Sequence, residues 1–175
     1  QLVNKTNQFN LTTRRYGEED LKQLELNGGD IYSISYEDTF GSQGIISVIV
    51  LIPEPDALRI DSWLMSCRVL NRTVEQAVFE FILGKANGRQ INGEYVSTEK
   101  NGLVSSLYKT LGFEKVVTVR DGSVVKDQWI YANYDLENLE TNHFGGDFPR
   151  YGKNKNNNTD PRIASHILKF NNRYG

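Results

Sequence analysis

Between an apolar stretch ending at Cys67 and a helical pattern opening at Val74 lies the turn Cys67-Arg68-Val69-Leu70-Asn71-Arg72-Thr73. A helix N-terminus presents unpaired backbone N–H groups and the positive end of its dipole. A turn in this place therefore suits a phosphate group, and Arg68 and Arg72 add positive charge. Backbone must come close to such a ligand. Asn71 tolerates a left-handed conformation, whereas β-branched Thr73 does so at a cost of roughly 1–2 kcal/mol. The same residues support a purely structural reading, with Thr73 as N-cap and Gln76 in the capping-box position. Cys67, beside Arg68, is either a thiolate nucleophile or a small buried hydrophobe. Asp61 and Glu94 offer carboxylates for general-base work on a sheet face, or are solvated charges. Asn101 suits the cap of a helix beginning near Leu103, and Tyr108 sits in that helix with its ring inward and its hydroxyl in water.

These residues need elements to place them. Phe9–Tyr16 reads as a strand, and Glu18–Leu26, with acids first and leucines behind, as a short helix. Asp30–Phe40 and Gly44–Ile52 form a hairpin, and Ala57–Cys67 is a third strand of the same sheet. In Thr73–Lys85, Val74, Ala77, Val78, Phe81 and Ile82 define one helical face. Ile91–Ser97 returns to strand. Leu103, Leu107 and Leu111 predict a second core helix closed by Gly112. Val116–Arg120 and Gln128–Tyr134 flank Asp121-Gly122 as a hairpin with a loop longer than two residues. The order is β-α-β-β-β-α-β-α-β-β, an α+β (α/β three-layer) domain with a mixed sheet and helices on both faces.

The chain has 175 residues, enough for one domain of ordinary size. With one cysteine, neither a disulfide framework nor a cysteine-rich zinc site can form, and His143 and His166 lack paired ligands, so no metal is expected. The apolar run Ile45–Ile52 is too short to span a bilayer, and nothing at the start reads as a signal peptide. A cytoplasmic protein is expected. The net charge of -2 gives no strong field for nucleic acid or membrane. Residues 141–175 hold six basic and two acidic residues, against 14 basic and 20 acidic in 1–140. We therefore expect a domain over 1–140 and a basic, Asn-rich tail over 141–175. In that tail Asp160-Pro161 begins a short helix near 161–170 carrying Ile163, Ile167 and Phe170 on one face. Because the chain begins at Gln1, it is expected to be a piece of a longer protein.

Two motifs carry a resemblance. Asn101, Tyr108 seven residues on, and Gly112-Phe113 four and five further match a signature of the GNAT acyltransferase fold. Arg68–Thr73 resembles that fold's pyrophosphate turn, [Q/R]-x-x-G-x-[G/A], with Arg68 matching and both glycine positions replaced, by Asn71 and Thr73. A closer resemblance covers most of 1–135. The stretches NKTNQFNLTTRRY (4–16), SWLMSCRVLNRTVE (62–75) and STEKNGLVSSLYKTLGF (97–113) are similar to the GNAT-like C-terminal region of FkbH-like proteins of polyketide and tetronate biosynthesis. In those proteins a HAD-type domain moves glyceryl units onto an acyl carrier protein. No D-x-D-x-T/V motif for that chemistry is found in this chain.

The resemblance implies a mixed sheet of six or seven strands, splayed between the strands ending near Cys67 and Ser97. It implies a coenzyme A or phosphopantetheine thioester in that cleft, held by Cys67, Arg68, Val69, Asn71, Arg72, Thr73 and Asn101, with Tyr108 protonating the leaving thiolate. The partners implied are an acyl carrier protein and a HAD-type domain of the same longer chain. Two other readings stay open. One is a catalytically inactive scaffold positioning the HAD domain and carrier, which the lost glycines favour. The other is a stand-alone small-molecule N-acetyltransferase.

Overall fold

The computed structural model describes residues 8–38, 41–70, 74–132 and 167–172. Helix α1 (Glu18–Leu26) has three acids in its first turn, and the Asp20 carboxylate accepts the Gly17 N–H at 2.8 Å. It buries no residue and leads through Gly28, at φ +85°, into the sheet. Strand β1 (Asp30–Asp38) and β2 (Gly41–Pro53) pair antiparallel, with Asp30 opposite Leu51. Strand β3 (Ala57–Met65) pairs antiparallel with β2. Val50 lies opposite Ser62 and Leu51 opposite Ile60, so Asp61 sits on a bulge with no partner on β2.

A 3₁₀ turn, Cys67–Val69, follows β3, and helix α2 (Val74–Ala86) then crosses to β4 (Gln90–Ser97), which runs parallel to β3. Val74, Val78, Phe79, Ile82, Leu83 and Ala86 bury the inner face of α2 in a large apolar cluster. Strands β5 (Glu114–Asp121) and β6 (Val124–Tyr131) form an antiparallel hairpin, and β6 pairs antiparallel with β4. Among the described residues, with β7 (Ile167–Asn172) beside β1, the sheet has seven strands in the order β5-β6-β4-β3-β2-β1-β7. It is the mixed α+β sheet expected. Among the described residues no helix is long and apolar enough to cross a membrane.

Four local expectations are corrected. Phe9–Tyr16 is no ladder strand: its one bridge is Asn10 with Leu64, and Thr13 turns the chain at φ +58°. The span Leu103–Leu111 is not a continuous helix but a 3₁₀ turn (Gly102–Val104) and one helical turn, α3 (Leu107–Thr110). It buries Val104, Tyr108 and Leu111 and packs Leu107 partly against the core, while Leu103 is exposed, so two of the three leucines face inward and the first does not. The β5–β6 loop is Gly122-Ser123 alone, because the strands reach Asp121 and Val124. The helix expected near 161–170 is contradicted over its second half. Ile167–Asn172 is strand β7, antiparallel to β1, where main-chain pairing along an open sheet edge outweighs a short isolated helix. Residues 161–166 lie outside the described residues, as does most of the 141–175 tail.

Candidate functional site

Strands β3 and β4 pair only from Ala57–Ile60 against Gln90–Gly93. Beyond that they part, as the splay expectation required. The chain's own N-terminal segment fills the wedge. Met65 N–H donates to the Phe9 carbonyl (3.1 Å), Leu11 N–H to the Trp63 carbonyl (3.3 Å), and Val96 N–H to the Leu11 carbonyl (2.8 Å). Residues 9–12 thus bond to β3 on one side and β4 on the other. Phe9 and Leu11 are 1% and 0% exposed, and Asn10 and Thr12 are buried with them. Burial of each large apolar side chain stabilises the closed wedge by roughly 1.5–3 kcal/mol.

Asn101 locks this segment. Its Nδ2 donates to the carbonyls of Asn10 (2.9 Å) and Val96 (2.8 Å). Its Oδ1 accepts from Thr98 N–H (2.8 Å) and the Tyr95 hydroxyl (3.2 Å). Both amide protons and both lone pairs are engaged, so nothing is left for a pantetheine arm. Nor does the side chain cap a helix, as its position before Leu103 suggested.

Where the segment leaves the wedge, it crosses the carboxylates on the sheet. Arg14 Nη1 donates to Asp61 Oδ1 (2.7 Å) and to the Asp61 carbonyl (2.8 Å), while Nη2 reaches Glu94 Oε1 (2.8 Å). The Tyr16 hydroxyl and Arg59 also bond the Asp61 carboxylate. Arg59 Nε pairs with Glu54 (2.8 Å), which accepts from Asn92 (2.9 Å). The two candidate bases are therefore held in one ion-pair network, and neither is a solvated charge. An open recess of about 340 Å³ lies alongside, lined by Asn10, Thr13, Arg15, Thr98, Glu99 and Lys100.

Tyr108 lies on the other side of β4, with its ring against Gly93: a Cβ there would come within 2.5 Å of the tyrosine Cζ. Phe113 and Trp129 flank the ring at 4.8 and 6.1 Å between centroids. The side chain is sealed, and its hydroxyl has no hydrogen-bond partner. Burial drives its pKa far above that of free tyrosine, outweighing the lowering by the Glu94 main chain and the Arg14 guanidinium. The hydroxyl is dry rather than wet.

Cys67 and Arg68 are exposed in the 3₁₀ turn at the end of β3, where Arg68 Nε donates to Ser66 Oγ at 3.2 Å, and Val69 points into the core. Asn71, Arg72 and Thr73 lie outside the described residues, as do His143 and His166. The structure thus brings Asn101 and the end of β3 to the wedge and places Tyr108 behind β4. Among the described residues no group of three His, Cys, Asp or Glu is placed to hold a metal ion. Sequence reasoning missed Phe9, Asn10, Leu11 and Arg14. Phe9-Asn10-Leu11-Thr12 alternates apolar and polar like a half-exposed strand, and the burial of all four residues has no local signal.

No protein-family model matches the sequence, and no curated protein matches it either. Solved structures do. An aminoglycoside 6'-N-acetyltransferase complexed with coenzyme A superposes with TM-score 0.53 at 8% identity, over 69% of this chain and 83% of that one. The ribosomal-protein-S18-alanine N-acetyltransferase from Escherichia coli gives 0.53 at 13% identity, over 82% and 89%. The protein smu.2055 from Streptococcus mutans UA159 gives 0.52 at 11%, over 75% and 88%. At such identities the likeness is one of fold. The described residues have the GNAT acetyltransferase fold, with the opening between its parted strands closed by the chain's own residues 9–12.

Proposed function

We propose that this chain is the GNAT-fold part of an FkbH-like protein, engaging a phosphopantetheine-bearing acyl carrier protein and positioning it for glyceryl transfer by a HAD-type domain. In this reading the chain transfers no acyl group itself. The observation that carries it is the sealing of the Tyr108 hydroxyl, the candidate general acid, with the described polar groups at the wedge engaged internally while residues 9–12 are in place. Asn101 spends its amide on Asn10 and Val96, Arg14 neutralises Asp61 and Glu94, and the Tyr108 hydroxyl is sealed behind Gly93. A general acid must reach the atom it protonates, and this hydroxyl reaches none.

The FkbH-like assignment draws support from where its three stretches meet. Described parts of 4–16, 62–75 and 97–113 converge on the wedge: Phe9 bonds Met65, Leu11 bonds Trp63, and Asn10 bonds Asn101. A resemblance spread over distant stretches that assemble one structural unit is more specific than the same residues scattered over a surface. The splay itself favours the second reading, in which the domain holds a coenzyme A thioester and transfers from it.

Mass spectrometry of the chain with acetyl-coenzyme A, holo-carrier protein and glyceryl-carrier protein separates these readings. The expected result is a complex with the carrier protein and no acyl exchange. Acyl transfer from acetyl-coenzyme A to any acceptor would establish the second reading instead.

A further inference from the structure

The wedge between β3 and β4 has a shape and a chemistry that call for an extended occupant. Past Ile60 and Gly93 the two strands share no pairing, so the Trp63 carbonyl and the Met65 and Val96 N–H groups face the opening rather than each other. Buried main-chain groups require partners. Residues 9–12 supply all three, with the Phe9 carbonyl and Leu11 N–H turned to β3 and the Leu11 carbonyl turned to β4. The segment is also unlike a permanent strand. It forms one isolated bridge, whereas β4 and β6 pair over seven consecutive residues. It leaves the wedge through Thr13 at φ +58°, a conformation β-branched residues disfavour, and is tied beyond that by Arg14, whose side chain is 36% exposed.

We propose that residues 9–12 are a displaceable strap, the wedge's own ligand, and that its withdrawal opens a groove for an extended, amide-bearing chain of the pantetheine class. The bound ligand would replace the strap's bonds to Trp63, Met65 and Val96 and take up the amide of Asn101 that Asn10 releases. The opening is thus closed by occupation, not by loss of the groups that line it. Arg14 and Tyr16 withdraw with the strap, so the same motion uncovers Asp61 and Glu94. Only the identity of the ligand rests on the carrier-protein reading; the mobility of the strap does not.

Amide hydrogen exchange on the full chain, resolved by residue, tests the motion. Met65 and Val96 should exchange at least ~10-fold faster than the β4–β6 ladder amides, because a short, unladdered segment opens before the sheet does. In Leu11→Ala, which alters the strap and leaves the groove intact, these two amides should speed further by ~10-fold or more while the ladder amides keep their relative order. Should Leu11→Ala not fold, Arg14→Gln loosens the strap from its exposed end and carries the same expectation. Calorimetry with D-pantetheine and with coenzyme A then tests the groove. Either probe should bind the loosened variant at least ~10-fold more tightly than the original chain, since affinity scales with the open fraction. Equal gains for the two probes place the arm in the groove, whereas a gain for coenzyme A alone would overturn the groove, because the nucleotide end and not the arm would account for it. Exchange of Met65 and Val96 only in step with the whole sheet would overturn the strap. Loosened variants that bind neither probe more tightly would overturn the groove. Neither calorimetry nor exchange reads acyl transfer, so failure here is distinct from failure of the proposed function.

Discussion

The side-chain amide of Asn101 donates to the main-chain carbonyl of Asn10 at 2.9 Å, joining residues 91 positions apart across the wedge between β3 and β4. One side chain therefore fastens the N-terminal segment, the end of β4 and the loop after it.

Replacing Asn101 with Ala leaves the buried Asn10 and Val96 carbonyls without their partner and removes the acceptor of the more exposed Thr98 N–H. We expect a loss of about 2–4 kcal/mol, read as a lower midpoint in urea denaturation, since each buried group left unpaired costs about 1–3 kcal/mol. Asn101→Asp should be no better. It keeps an acceptor for Thr98 but turns a carboxylate toward two carbonyls.

Gly93 and Tyr108 form a second dependent pair. A Cβ on Gly93 would meet Tyr108 Cζ and Cε1 at 2.5 and 2.6 Å, inside any tolerated contact. Gly93→Ala should cost about 1–3 kcal/mol by overpacking. Combined with Tyr108→Leu, the cost of the Gly93 change should shrink markedly, because the ring it strikes is gone. Thermal denaturation of the two single variants and the double variant gives the coupling directly; strict additivity would show that the ring moves freely aside.

The elements that bury a regular face were legible in the sequence. Helix α2 showed its 3.6-residue period and β1 to β4 their β-branched runs, because each packs one side of a repeating backbone against a single core. The signature pairing Asn101 with Tyr108 was also legible, and it led to the right fold. What those residues do was not. Asn101 was read as a cap or ligand contact because its partners, Asn10 and Val96, depend on tertiary closure that no local pattern encodes. Phe9–Tyr16 looked like a strand from composition, yet it fits between two strands that have already parted. Its polar Asn10 is buried with its side-chain Oδ1 accepting the Thr13 N–H and its main-chain carbonyl accepting from Asn101. Ile167 and Phe170 sat at helical spacing by coincidence, and the open edge of β1 settled the matter.

The Lys115–Asp127 pair predicts an acid-side effect. Burial pushes the Asp127 carboxyl up, but hydrogen bonds from Lys115 (2.7 Å) and Thr118 (2.6 Å) outweigh it and leave the pKa below the ordinary aspartate value. A depressed folded-state pKa contributes stability that is present above the unfolded value and lost as pH falls through the folded one. The loss should therefore begin near about pH 5 and continue below the unfolded value near 4. Lys115→Met should flatten this part of the stability profile while leaving the slope above pH 6 unchanged. Chemical denaturation in steps of pH would show it, and an acid slope equal to that of the original chain would remove Lys115 as the cause.

Tyr108→Phe separates a catalytic tyrosine from a packed one. The ring stays against Gly93, Phe113 and Trp129, so packing is preserved, and the group removed is a buried hydroxyl with no partner. At pH 7 stability should change by less than about 1 kcal/mol and move upward, because an unsatisfied polar group is replaced by hydrogen. The alkaline side should change more. Burial raises the Tyr108 pKa in the folded state above the unfolded value of 10.0, so its contribution is complete below about pH 10 and disappears as pH rises toward the folded value. Tyr108→Phe should lose less stability than the original chain above pH 10. The slope should not vanish, because burial raises Tyr16 as well, and Tyr16 keeps its bond to Asp61. A drop of several kcal/mol at pH 7 would show that the hydroxyl has a partner it needs. If the original chain transfers acyl groups and Tyr108→Phe does not, while binding the thioester equally, the hydroxyl is a general acid and the sealed position must open during turnover.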